Sequence, residues 1–199
     1  VFIELTEILR CPRDHAESYL VAAPMVMDGR RIVRGAVGCP ECRAEYPIVD
    51  GVAYFGGPGS RGGAPASPAP AYDATALRAF LDLGGPGGYV LLVGGAGALG
   101  PGLVAAVPGV HVVAVNPPPA VAPAAMLSVL VAPHGLPLRT ASLRGVALGA
   151  DVAAPPWIAE AVRTLLPGRR LVVDDESASA GVTELARGGG VFVGEKGRG

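Results

Sequence analysis

The chain has 199 residues, half of them apolar, and a formal net charge of −1, so it can bury a real core but offers no basic footprint for nucleic acid or an anionic membrane surface. Three cysteines, two of them in Cys39-Pro-Glu-Cys42, fit metal ligation in a reducing compartment better than a disulfide framework, and they place the protein in the cytoplasm. The start at Val1 rather than Met reads as a processed or trimmed chain, and residues 1–4 lack the basic-then-apolar pattern of a signal peptide.

Residues 6–9 can form a helical turn leading into Cys11-Pro12. Two apolar runs, 19–27 and 30–37, flank Asp28-Gly29, the strongest short hairpin signal. Residues 46–49 form another short strand, Asp50-Gly51 a turn, and 52–55 its continuation. Zinc asks for four Cys or His ligands in a tetrahedron, and two close-spaced pairs brought together across a hairpin supply that geometry. Cys39 and Cys42 make one pair. The other is Cys11 with His15 or with Asp14, and imidazole suits zinc well, although carboxylates also bind it. A metal here would be structural, because two knuckle pairs leave no open coordination position. The alternative is a metal-free site in which the thiols pack as small apolar groups.

The stretch from Leu5 to Gly51 carries Ile8-Leu-Arg-Cys-Pro12, Cys39-Pro-Glu-Cys42 and Tyr46-Pro-Ile-Val-Asp-Gly51 in order, and it resembles the small zinc-ribbon methyltransferase-activator family. Members of that family bind and stabilise methyltransferases acting on tRNA, rRNA and release factors. The resemblance implies a zinc ribbon that pairs with its enzyme through a sheet edge, with strand 46–49 as the expected edge. Family members commonly have four cysteines, and this chain departs from them at Asp14-His15.

Residues 56–72 are rich in Gly, Pro, Ala and Ser and read as a linker, dividing a ribbon module at 1–55 from a second unit at 73–199. Asp73 can cap a helix that ends at Gly84-Gly85. Strands and helices then alternate: strand 89–93, helix 99–107, strand 110–115, a weak helix 120–125, strand 127–131, strand 145–148, helix 156–166, strand 171–173, and a short final pair at 182–187 and 191–193. Repeated βα alternation with apolar strands predicts an α/β, Rossmann-like, mostly parallel sheet covered by helices. No Asp, Glu, Lys or Arg occurs from Leu83 to Leu138. Glycines and prolines cut that stretch into pieces too short to span a bilayer, so buried parallel strands are expected and a membrane span is not. Its apolar character also suggests a surface covered by a protein partner or a second copy.

The strand at 89–93 runs into Gly94-Gly-Ala-Gly-Ala-Leu-Gly100, where a doubly wound fold brings backbone close to a nucleotide. Together with Leu136-Pro137-Leu138, Gly145-Val-Ala-Leu148 and Leu165-Leu-Pro-Gly168, this turn resembles the class I S-adenosylmethionine-dependent methyltransferase fold over residues 89–175. That resemblance makes Gly94, Gly95, Gly97 and Asn116 the candidate cofactor residues. It also exposes departures: Leu92 stands where an acidic residue usually precedes the glycine turn, Asn116 where an acid holds the ribose hydroxyls, and Ala132-Pro133 where a polar residue contacts adenine. A site built to hydrogen-bond hydroxyls loses much of its binding without those partners. The chain after Val173 also leaves little room for the last helix and long hairpin of a full methyltransferase.

The sequence therefore reads as a non-catalytic interaction or scaffold protein, with no catalytic residue named. An active S-adenosylmethionine-dependent methyltransferase is the alternative. An NAD(P)-dependent oxidoreductase is a weaker one, with Asn116 in place of the ribose-binding acid. Asp151 can orient a substrate or cap the turn before Pro155-Pro156. Asp174, Asp175 and Glu176 form a solvated loop or a cation site, His134 a loop histidine or a base, and Trp157 a packing anchor.

Overall fold

The computed structural model describes residues 1–56, 68–178 and 181–198. Most of the linker segment expected at 56–72 lies outside the described residues. Eleven strands form a single sheet in the order β1-β2-β3-β4-β7-β6-β5-β8-β9-β11-β10. The ribbon supplies β1 (Val21–Asp28), β2 (Arg31–Gly38), β3 (Glu45–Val49) and β4 (Val52–Tyr54), all antiparallel to one another. Both Asp-Gly turns form as expected. At the second, Asp50 and Gly51 take φ of 51° and 78°, the left-handed region that a tight hairpin needs.

β5 (Tyr89–Val93), β6 (His111–Val115), β7 (Leu127–Val131), β8 (Leu143–Leu148) and β9 (Leu165–Val173) run parallel, and β10 (Thr183–Gly188) and β11 (Val191–Glu195) close the far side as an antiparallel hairpin. The order reverses between β5 and β8, the arrangement of a doubly wound sheet. The final pair expected at 182–193 is thus present and seated in the sheet.

The ribbon joins the parallel strands through β4, which pairs with β7 at Val52–Val129, Ala53–Leu130 and Tyr54–Val131. Phe55 N–H extends the ladder to the Val131 carbonyl at 2.7 Å. The expected docking strand, 46–49, is instead interior: β3 has β2 on one side and β4 on the other, so it has no free edge to offer.

Side chains alternate cleanly between the two faces of the parallel strands. Val90, Leu92, Val112, Ala114 and Val172 point to α1 (Ala74–Phe80) and α2 (Gly100–Ala106), which contribute Leu77 and Leu103. Asp73 caps α1 as expected, accepting from Ala76 N–H at 2.8 Å. Leu91, Val93, Val113, Val115, Val146 and Leu148 point to the other face, where α3 (Pro155–Thr164) brings Ile158 and Ala161.

Among the described residues, that second face has one helix. Residues 120–125 form turns and loop rather than a weak helix, because Pro117, Pro118, Pro119 and Pro123 each lack the N–H a helix interior requires. The connection 132–142 has no helix either. The ribbon covers what these crossovers leave bare. Its first turn, a 3₁₀ helix at Ile3–Glu7, buries Leu5, and Leu5, Leu9, Ile32, Val37 and Phe55 share one continuous core with the parallel strands. Hydrogen bonds to backbone carbonyls stitch the layers: Tyr89 Oη donates to the Glu4 carbonyl at 3.0 Å, Arg10 N–H to Pro137 at 3.0 Å, and Arg139 N–H to Ile8 at 2.8 Å.

Candidate functional site

Two places gather the residues singled out from sequence. The first is the knuckle. Cys11 precedes β1, and Cys39 and Cys42 sit on the turn between β2 and β3, where Cys39 N–H donates to the Ala44 carbonyl at 2.9 Å and Arg43 N–H returns to Cys39 at 3.0 Å. The ligand atoms of Cys11, His15, Cys39 and Cys42 all lie within 4.8 Å of one another. Cys11 Sγ stands 3.6 Å from Cys42 Sγ, and Cys39 Sγ 3.5 Å from His15 Nε2. His15 Nδ1 lies 2.7 Å from the Ala16 carbonyl, which favours the tautomer that leaves Nε2 free to coordinate. Of the two residues that could complete the set, the geometry gathers His15.

Electrostatics at the knuckle differ from thiol to thiol. Burial opposes the Cys39 thiolate, but the N–H groups of Cys42 and Glu41 and the neighbouring thiols outweigh it and bring the pKa down to about 6. Burial holds Cys11 above its usual value, against the Tyr46 hydroxyl 3.2 Å away and the Arg13 N–H. The Ala16 carbonyl and the nearby thiols raise His15. Three sulfurs and one imidazole, two of the residues buried, make a donor set suited to a tetrahedral metal ion.

The second place is the glycine turn at the switch point, where an open α/β sheet presents the carboxyl ends of β5 and β8 to a ligand. Gly94, Gly95 and Gly97 are all buried. Gly95 N–H donates to Asp151 Oδ1 at 2.8 Å, and a Cβ built on Gly94 would lie 2.5 Å from Asp151 Oδ2. A Cβ on Gly97 would lie 2.6 Å from Pro117 Cβ. The glycines are required, but the atoms that require them belong to the chain itself. Asp151 lies in the 3₁₀ turn Ala150–Val152 that precedes Pro155-Pro156, and the N-cap of α3 is Ala154, with no side-chain bond.

Asn116, with φ of 49°, spends both ends of its amide on one residue: Nδ2 donates to the Ala132 carbonyl at 2.8 Å and Oδ1 accepts from Ala132 N–H at 2.9 Å. This clamp ties the end of β6 to the end of β7. Asp174, at the end of β9, accepts from the Tyr72 hydroxyl, and burial together with the charge of Asp151 raises its pKa despite that bond. Trp157 is half-buried and packs against the shared core, as a packing anchor should.

Sequence reasoning missed the polar seam between the ribbon and α3. Glu17 accepts from Thr140 N–H and Oγ1 at 3.1 and 2.9 Å and lies 3.7 Å from Arg10, while Glu160 pairs with Arg163 at 2.8 Å and with Arg10 at 3.7 Å. Glu160 and Arg163 are an i,i+3 pair on α3, but the contacts that make the seam, Thr140 with Glu17 and Arg10 with Glu160, join residues more than a hundred positions apart, which no local pattern marks.

The fold and the knuckle define a cysteine–histidine ribbon joined to a doubly wound α/β sheet. Residues 3–51 match the family described as Trm112p-like protein. Among solved structures, the chain is similar to a complex containing the Haloferax volcanii Trm112 methyltransferase activator, with 21% identity over 50% of this chain and 50% of that one and a TM-score of 0.41. It is also similar to a Haemonchus contortus phosphoethanolamine N-methyltransferase 2 complex, with 18% identity over 50% of this chain and 27% of that one and a TM-score of 0.40. The antibiotic-resistance methyltransferase Kmr matches at 16% identity over 64% of this chain and 94% of that one, with a TM-score of 0.45. The chain spans half or less of the first two, and the fold assignment rests on the strand order itself. No curated protein matches the chain. Among the described residues, no helix is long and apolar enough to cross a membrane.

Proposed function

We propose that this chain is a non-catalytic interaction or scaffold protein, in which an activator-like ribbon at 1–55 is joined through 56–72 to a methyltransferase-like sheet at 73–199. Zinc bound by Cys11, His15, Cys39 and Cys42 would pin the ribbon and take no part in chemistry. The observation that carries the reading is the carboxylate of Asp151 lying on the glycine turn, bonded to Gly95 N–H at the switch point. The residues present do not fit S-adenosylmethionine. The turn that would approach it meets Asp151 and Pro117, and Asn116, at the position expected to hold the ribose, has both amide ends bonded to Ala132.

An interaction role finds further support on the ribbon. Tyr19, Val21, Met25, Val26 and Met27 are all exposed along β1 and just before it, an apolar strip at the edge of the sheet. The test is calorimetric titration of the purified chain with S-adenosylmethionine. No heat of binding is expected up to millimolar cofactor, whereas micromolar binding would restore the methyltransferase reading. The same titration with NAD(H) and NADP(H) addresses an oxidoreductase.

A further inference from the structure

Between the ribbon and the carboxyl end of β7 lie two adjoining chambers of about 330 Å³ and about 380 Å³ that share Pro133, His134 and Gly135. The ribbon lines the first with Arg13, Glu45 and Tyr46, beside Phe55. Arg10 and Trp157 line the second, beside Glu160. Neither chamber is lined by the glycine turn, so the cleft is separate from the switch point discussed above. Its combined size falls in the range of small-molecule sites.

Three observations describe what the cleft would hold. Arg10 Nε is buried and has no hydrogen-bond acceptor among the described residues, although a buried donor normally has one. Arg13, at the mouth, is exposed, and its guanidinium makes no hydrogen bond or ion pair among the described residues. Glu160 accepts from Arg163 and from Leu136 N–H, and it and Glu17 meet the Nη atoms of Arg10 only at 3.7 Å, beyond hydrogen-bond distance. The walls are flat and apolar: Tyr46 and Phe55 pack with ring centroids 4.9 Å apart, and Trp157 faces the second chamber. From these we infer that the cleft binds a small aromatic oxyanion, its ring against Trp157 and Tyr46 and its oxygens on Arg10 and Arg13. Glu45 opposes it in the first chamber, and Glu160 and Glu17, each 3.7 Å from Arg10, compete with it for that guanidinium.

Trp157 is the sole tryptophan, so its fluorescence reports occupancy directly. The intact chain is titrated with phenyl phosphate, phenylacetate, inorganic phosphate and benzyl alcohol. Phenyl phosphate or phenylacetate should change the fluorescence saturably, and the two arms separate a phosphate from a carboxylate source. Inorganic phosphate and benzyl alcohol, each carrying half of the recognised chemistry, should bind at least about tenfold more weakly, a difference of about 1.4 kcal/mol. Arg13→Gln should weaken the aromatic anion by a similar factor, and Glu45→Gln should tighten it. Trp157→Phe should abolish the optical signal while leaving a weaker ligand-induced rise in unfolding temperature. Equal binding of inorganic phosphate and phenyl phosphate, unchanged affinity in Arg13→Gln, or the lack of any saturable response at millimolar ligand would each overturn the inference.

Discussion

His111 shows how one side chain can report on the contact between ribbon and sheet. It lies buried on β6 with Nε2 2.9 Å from Ser128 Oγ, and Phe2 of the ribbon meets its ring edge-on at 5.0 Å. Burial lowers its pKa to about 4, against the pull of the Glu4 carboxylate. In the unfolded chain an imidazole titrates near pH 6.5, so between about pH 6.5 and 4 the unfolded state binds the extra proton. Stability therefore rises with pH across that window and falls as pH drops through it. The full span corresponds to a loss of about 3 kcal/mol between neutral pH and pH 4. Urea unfolding of wild type and His111→Gln at several pH values checks this. Glutamine keeps a partner for Ser128 without titrating, so the variant should lose the His111 share of the slope between pH 6.5 and 4, while the buried Val1 amino group, lowered to about 5, keeps its own share, and an unchanged slope would locate the pH dependence elsewhere.

At the scale of elements, the 3₁₀ turn at Ile3–Glu7 and the strand β4 do the work of two missing helices and one missing edge. Leu5 is fully buried in the core shared with Leu91 and Val113. Truncating a buried leucine removes transfer energy and leaves a cavity, so Leu5→Ala should cost about 2–5 kcal/mol. An exposed control, Glu7→Ala, should cost little, and chemical denaturation of both variants measures the difference. If Leu5→Ala is as stable as the control, the ribbon is an ornament on the sheet rather than its second layer. The strands themselves were readable, because apolar runs such as Val90 to Val93 and Val112 to Val115 are buried on both faces and leave a continuous signature. The docking strand was not. A parallel ladder like that of β4 with β7 uses backbone groups that any residue offers, and Val52-Ala-Tyr54 carries no mark that sets it apart from Tyr46-Pro-Ile-Val49. The glycine turn was readable as a close approach of backbone, but its occupant was not, since Asp151 lies more than fifty residues further along the chain.

Over the whole molecule, the linker composition divides the chain into two units, and one sheet runs from β1 to β10 while one core links Cys11, Cys39 and Tyr46 to Leu91, Val113 and Ile158. Loss of the knuckle should then be felt at α3, which carries Trp157. Elemental analysis of the native chain should give one zinc per molecule, and Cys39→Ser should lose it. Structural zinc contributes its binding energy to folding, and for a chain of this size each kcal/mol lost lowers the unfolding midpoint by about 2–4 °C. Chelation should thus lower the midpoint by on the order of 10 °C if several kcal/mol of that binding energy stabilise the shared core. The decisive comparison is between probes. Far-ultraviolet circular dichroism follows the strands of both units, while Trp157 fluorescence reports from α3, where the sheet unit meets the shared core. Coincident transitions that shift together on chelation are the behaviour of one cooperative core. A Trp157 transition that stays in place while the ribbon melts beneath it would mean that the shared sheet does not couple the two units.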